Sequence, residues 1–318
     1  MKRVLALLLF VVTACASSSS DPQSKGGDAP LCKRFVFTTA APEVHPPRER
    51  LRLAVIGDAG DAAERANPEV KPRELAEAIA SQGSFDAILV LGDNFYPCGI
   101  SRADADAKFV TVYGALFELG IPLYPVLGNH DYGDGSSKCN SAVVEPDAQV
   151  EYRGGTWRMP ARNYVVRWPG LATIAMLDTE PVKLQCSGSN AVLDFVRESL
   201  TTEDPWKLAA GHHVVESHGP HGLQPSDGGR MRTLLAPVLK TQAADLYLSG
   251  HDHHLEISRS RKPMYVVSGA ASRRRSVIGG DAYRRHGFAI VELTAKKMTV
   301  SLVELRTRKL LHAVTVER

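Results

Sequence analysis

Five apolar runs in this 318-residue chain end in a glycine followed by polar side chains: GDAG at 57–60, GDNFY at 92–96, GNHD at 128–131, GHH at 211–213 and GHDHH at 250–254. Alone, each is an ordinary turn signal, because glycine turns tightly and lets backbone approach whatever lies beside it. Together they share a chemistry. They offer Asp58, Asp93, Tyr96, Asn129, His212, His251 and His253 as donors. Carboxylate, phenol and imidazole suit a hard or borderline cation, and the missing cysteine argues against a soft thiolate site. Seven donors are too many for one small ion. They suit two ions about 3.5–4 Å apart that share a carboxylate. A phenol of reference pKa about 10 ligates poorly near neutrality unless a highly charged ion ionises it.

The donors need elements to carry them. LRLAVI (51–56), FDAILVLGDN and IPLYPVLGNHD read as buried strands. Between them KPRELAEAIASQG (71–83) and DADAKFVTVYGALFELG (104–120) have helical spacing, the first with Pro72 near its start and Gly83 past its end. Strands alternating with helices imply a parallel sheet, whose ligands collect beyond the carboxyl ends of the strands. The second half predicts neighbouring strands at NYVVRW and LATIAMLD and a helix over 190–200. Further strands follow at WKLAAGHH, ADLYLSGHDHH, PMYVVSGA, FAIVELT and MTVSLVEL. No second boundary is visible between 51 and 318. Two sheets packed together and flanked by helices account for these elements, and the five clusters are expected at one sheet edge.

Composition fits a globular α/β protein, with 44% hydrophobic and 23% charged residues. The 38 basic and 35 acidic residues give +3; without Lys2 and Arg3 the balance is 36 to 35, or +1. Bulk charge therefore does not suggest a nucleic-acid binder.

The N-terminus, MKRVLALLLFVVTACASSSSD, has two cations, an apolar run over 4–14 and then Cys15. The run is shorter than the roughly 20 residues a bilayer span needs and fits a secretory signal. VTAC (12–15) resembles a bacterial lipobox, so Cys15 is expected to carry a lipid anchor. The alternative is an ordinary signal cleaved nearby. Residues 15–50, rich in Ser, Pro and Gly, are expected to act as a flexible tether to a domain over 51–318. Export implies an oxidising compartment. Three pairings are open to Cys32, Cys98, Cys139 and Cys186. Cys98 and Cys139 each follow a polar cluster at the same rim, which favours that pair.

The five motifs, in this order, resemble the metallophosphoesterase (calcineurin-like) superfamily. The tyrosine of GDNFY is similar to the phenol ligand of its purple acid phosphatase branch, in particular the small, tartrate-resistant type. The resemblance covers most of 51–318 and implies a four-layer αββα sandwich of two mixed sheets flanked by helices. It implies that Asp58, Tyr96 and His253 bind Fe(III), that Asp93 bridges, and that Asn129, His212 and His251 bind a divalent iron, zinc or manganese. The implied activity is that of an acid phosphatase, hydrolysing phosphate monoesters by attack of a metal-bound hydroxide. His130 follows the ligand asparagine, and His221 matches the family's second substrate histidine; both would hold phosphate or protonate the leaving oxygen. His213 and His254 are read as outer partners or surface residues.

Protonated histidine and an acidic metal-bound water both favour an acidic optimum. Glu216 stands where relatives often carry an aromatic residue, and His218 is also unusual there. Arg273, Arg274 and Arg275 most simply form a solvated loop, and could instead grip a polyanionic substrate. The expected partners are small phosphorylated substrates, with membrane contact only through Cys15. A phosphodiesterase or nucleotidase would share the same metal core. A non-catalytic surface-anchored binding lipoprotein would be expected to have lost ligands, and all seven donors are present.

Overall fold

The computed structural model describes residues 30–133, 139, 143–258, 262–279 and 282–318; the leader and Cys15 lie outside them. After a 3-10 turn at Pro30–Arg34 come β1 (Glu43–Val44), β2 (Arg50–Ile56), α1 (Pro72–Ala80), β3 (Ala87–Leu91), α2 (Ala105–Phe117) and β4 (Leu123–Val126). The middle of the chain gives α3 (Asp147–Glu151), β5 (Tyr164–Trp168), β6 (Ala172–Met176), α4 (Glu180–Leu184), α5 (Ser189–Ser199) and β7 (Trp206–Ala210). Then follow α6 (Pro220–Leu223), α7 (Gly228–Thr241), β8 (Leu246–Ser249), β9 (Leu255–Ser258) and β10 (Met264–Ser268). The chain closes with β11 (Ala282–Tyr283), β12 (Gly287–Thr294), β13 (Lys297–Glu304) and β14 (Leu310–Glu317).

One sheet has the order β14-β13-β12-β2-β3-β4 and the other β1-β5-β6-β7-β8-β10-β9-β11. Both are mixed. β2, β3 and β4 run parallel in the first, and β6, β7, β8 and β10 in the second. This is the two-sheet α/β arrangement expected, with helices on the outer faces. All five residues of β3 (AILVL) are buried, as a strand covered on both faces requires. Ile88 and Val90 belong to the same core cluster as Ile174 and Leu208, so side chains of the two sheets form one core. α1 and α2 add Leu75, Ile79, Phe109 and Val112 to that cluster. On the far side of the second sheet, Val192 and Val196 of α5 and Met231, Leu235 and Leu239 of α7 pack with Ala209 and Tyr247. Each such aliphatic side chain contributes about 1.5–3 kcal/mol when fully buried.

Two expectations change. The clusters do not share one sheet edge: GDAG, GDNFY and GNHD follow β2, β3 and β4, whereas GHH and GHDHH follow β7 and β8. The carboxyl ends of both parallel runs therefore converge. Residues 30–50 are also not a free tether. Cys32 is bonded to Cys186, Phe35 packs edge-on against Tyr132 at 4.7 Å, and β1 pairs with β5. His45 stacks on Trp168 at 4.5 Å. The favoured Cys98–Cys139 bond is present as well. Among the described residues no helix is long and apolar enough to cross a membrane.

Candidate metal centre

All seven predicted donors are buried. They form two overlapping groups. Ligand atoms of Asp58, Asp93 and His253 lie within 4.8 Å of one another, and so do those of Asp93, His212 and His251. Asp93 belongs to both. Tyr96 joins the first group, its hydroxyl 2.9 Å from Asp58 Oδ1 and 3.2 Å from His253 Nε2. Asn129 joins the second, with Oδ1 3.2 Å from His212 Nε2.

The backbone is bent to achieve this. Asp58, Asp93 and His251 have φ of 59°, 52° and 65°, a left-handed conformation that is uncommon outside glycine. Such residues cost of order 1–3 kcal/mol each and persist where surrounding structure enforces them. Here the enforcement is visible. The Asp58 N–H donates to Gly92 O at 3.1 Å, and the His251 N–H to Asp58 Oδ2 at 2.9 Å, which ties the edge of one sheet to the edge of the other. The motif glycines leave room for the carboxylates. A Cβ on Gly250 would lie 2.6 Å from Asp58 Oδ2, and one on Gly128 would collide with Asp93.

Hydrogen bonds on the outer ring nitrogens fix two imidazoles. His212 Nδ1 donates to Leu91 O at 2.8 Å, leaving Nε2 on the Asp93 side, 3.3 Å from its Oδ1. His251 uses the opposite nitrogen: Nε2 lies 2.8 Å from Asp227 Oδ2, and Nδ1 stands 3.0 Å from His212 Nε2. A lone pair facing the donor group, with the far N–H held by an acceptor, is how metal-binding histidines are oriented. Burial pushes His251 down to about 3, so its ring is neutral and competent to ligate over the ordinary pH range.

Tyr96 tests what the group can hold. Burial, helped by the Asp58 and Asp93 charges, pushes its hydroxyl well above 10, with Arg273 opposing. The Arg273 guanidinium sits 3.7 Å over the ring. Such a phenol ionises only beside a strong positive charge. Two carboxylates and a phenol with one imidazole fit a hard, highly charged ion, and two imidazoles and an amide with the shared carboxylate fit a borderline divalent one. The donor set therefore fits a pair of metal ions.

His130 and His221 stand beside the donors. The His130 N–H donates to Asp93 Oδ1 at 3.0 Å, and its Nδ1 lies 2.6 Å from Pro97 O. The His221 ring lies against His251, with centroids 3.9 Å apart, and its Nδ1 is 3.1 Å from Asp227 Oδ2. His213 and His254 are not surface residues. Both are buried, His213 against Thr179 Oγ1 (2.9 Å) and Glu180, His254 against Glu256 Oε2 (2.8 Å). Burial pushes Glu180 up to about 7. Of the departures noted in sequence, His218 Nδ1 binds Glu256 Oε1 at 2.6 Å and Glu216 accepts from Ser258 at 3.1 Å.

Two acids were missed. Asp227 holds both His251 and His221. Burial raises its pKa, but these two hydrogen bonds outweigh that and keep it well below the usual carboxylate range. It stands at the N-cap position of α7, yet its side chain makes no cap bond and is turned to the two histidines instead. Asp131 accepts from the backbone N–H groups of Asn94, Phe95 and Gly128 and from Gln149 Nε2, all within 3.2 Å, and so ties GDNFY to GNHD. Burial and the Asp93 charge push it up to about 7.

Residues 51–255 match the calcineurin-like phosphoesterase family model. The chain is 27% identical to mouse tartrate-resistant acid phosphatase type 5 over 312 residues, covering 83% of this chain and 90% of that protein. It is 31% identical to Arabidopsis purple acid phosphatase 17 over 220 residues, 61% of each. Among solved structures it superposes on the anchor protein of the Plasmodium inner membrane complex with a TM-score of 0.67 at 18% identity, covering 85% of this chain and 89% of that one. It also superposes on a purple acid phosphatase from yellow lupin seeds, with a TM-score of 0.66 at 16% identity, over 86% of this chain and 55% of that one.

Proposed function

The chain belongs to the calcineurin-like phosphoesterase family, and from that premise we propose that it is an acid phosphatase hydrolysing phosphate monoesters at a dinuclear metal centre. The observation that carries this reading is Asp93, shared between two buried donor groups, one of which includes a phenol. Asp58, Tyr96, His253 and Asp93 would hold Fe(III). Asp93, Asn129, His212 and His251 would hold a divalent iron, zinc or manganese ion. When bound, such ions neutralise phosphoryl charge and lower the pKa of water to about 7 or below.

The remaining chemistry belongs to side chains. The hydrogen bonds that enforce the left-handed backbone at Asp58 and His251 keep these donors in place before any ligand arrives. Asp227 orients His251 from behind and His221 from the side. With its Nδ1 proton given to Pro97 O, His130 offers Nε2 on the side of Asp93, whose Oδ2 is 3.8 Å away. His130 and His221 would bind phosphate oxygens and deliver a proton from Nε2 to the leaving oxygen. A histidine can do so only when protonated, so the step is favoured in acid solution. Asp227 stays ionised there, because its pKa lies below the usual carboxylate value.

Two disulfides support export to an oxidising compartment. With the leader expected at 1–14, we place the protein in the bacterial cell envelope, anchored through Cys15. Small phosphate monoesters are the proposed substrates. Parallel assays of the metal-loaded protein on nitrophenyl phosphate and bis-nitrophenyl phosphate test the reading. Faster turnover of the monoester is expected, and faster turnover of the diester would replace the phosphatase with a phosphodiesterase.

A further inference from the structure

The three consecutive arginines after β10 go to three different places. Arg273 lies over Tyr96 and pairs with Asp61 and Glu64. Arg274 is exposed and pairs with Glu69 at 3.2 Å. Arg275 turns into the site, its Nη1 donating to His221 Nε2 at 2.5 Å. Among the described residues no carboxylate pairs with it, unlike its two neighbours.

Backbone bonds hold that position. Ser272 Oγ donates to the Asp58 carbonyl, the Arg275 N–H to His253 O at 2.8 Å, and the Ile278 N–H to His218 O at 3.2 Å. The segment 272–278 is thus tied to GDAG, to GHDHH and to the turn before His221. It spans both groups of donors, with Arg275 at its middle tie.

His221 shows what the contact means. A neutral imidazole has one N–H and one acceptor nitrogen. A carboxylate at Nδ1 and a guanidinium at Nε2 are both satisfied only if the proton is on Nδ1 and the Nε2 lone pair accepts from Arg275. The nitrogen proposed to serve the leaving oxygen is therefore occupied by a cation. One imidazole nitrogen uses one of the five guanidinium donors. A phosphate uses two in parallel, and with its charge it is the stronger acceptor.

Resting on the phosphatase reading above, we propose that Arg275 is a substrate-binding residue that takes the oxygens of the phosphoryl group. In the free protein it is parked on His221. When a phosphate arrives, the guanidinium transfers to it and leaves His221 Nε2 open. Arg273 and Arg274, each committed to acids, take no part in binding substrate.

The test compares full-length metal-loaded wild type with R275A, R275Q and R274A. KM for nitrophenyl phosphate and the inhibition constant of inorganic phosphate should both rise at least tenfold in R275A and R275Q, and stay at wild-type values in R274A. Calorimetry with inorganic phosphate should show the same loss of affinity without any turnover. Wild-type phosphate affinity in both R275A and R275Q would overturn the proposal, as would an equal loss in R274A. The two ideas fail separately. An inactive wild type that binds phosphate through Arg275 refutes the activity alone, and an active wild type indifferent to R275A refutes this inference alone.

Discussion

Tyr96 is the residue on which the metals' identity turns. A buried phenol bonded to Asp58 and crowded by two carboxylates is unsuited to ionising alone, so its place in the donor group makes sense beside a highly charged ion. Y96F is expected to keep the fold, since the ring is fully buried and phenylalanine fills nearly the same volume. If the proposed centre holds iron, Y96F should lack the visible phenolate-to-iron absorption expected of the wild type, which spectra of the two purified proteins check; the same band in both would exclude Tyr96 as a ligand. Asp227 makes a second prediction. Removing a carboxylate that orients a ligand histidine typically costs 10–100-fold in metal affinity. D227A should lose the divalent ion on dialysis about that much more readily, with the other ion retained; equal retention of both would contradict the role given to His251. The donors were legible in sequence because each follows a glycine at the end of an apolar run. Asp227 and Asp131 were not. Asp227 is an isolated acid in a polar turn, and Asp131 closes GNHD without being a donor; both act on partners that lie mainly in other segments, which the sequence does not display.

At the scale of elements, the central strands and the helices α1, α2 and α5 were readable because burial and periodicity agreed. α7 was not, since Gly228, Gly229 and Pro237 all count against a helix. Burial of Met231, Leu235, Val238 and Leu239 against the second sheet outweighs those propensities. β14 was missed for the opposite reason: it is an edge strand with most of its residues exposed, and little apolar alternation marks it. The composition of 30–50 suggests a tether, whereas Cys32, Phe35 and His45 fasten that stretch to the domain. One acid holds a corner of the second sheet. Asp204 accepts from Arg167 on β5, from the Gly170 N–H in the turn and from Thr173 on β6. Burial raises its pKa, but these bonds prevail and hold it down at about 2. Its contribution to stability is therefore present above the unfolded value of about 3.9 and is lost as pH falls through 2. D204A should lower stability by about 1–3 kcal/mol at pH 7 and flatten the fall in urea midpoint between pH 4 and 2. A variant with the wild-type acid profile would contradict that assignment.

In the whole molecule, two parallel strand runs from different sheets bring their carboxyl ends together, and the metal centre would join them. His251 already reaches across to Asp58. Bound ions should therefore stabilise the fold as a unit, with a chelator lowering the melting temperature and added metal restoring it; a melting curve indifferent to chelator would mean that no ion bridges the sheets. The pH–rate profile should have an acidic or mildly acidic optimum, because the histidines must be protonated while Asp227 stays ionised; a rate rising steadily through pH 9 would exclude this. Most of this architecture was legible in the order of the five motifs, but their division between two edges was not, since a strand end does not say which sheet it belongs to. Elemental analysis with a visible spectrum on the same purified sample tests the central claim most directly. The account predicts two metal ions per chain, one of them iron, and a coloured protein. A colourless chain holding one ion or none after loading with iron would contradict it.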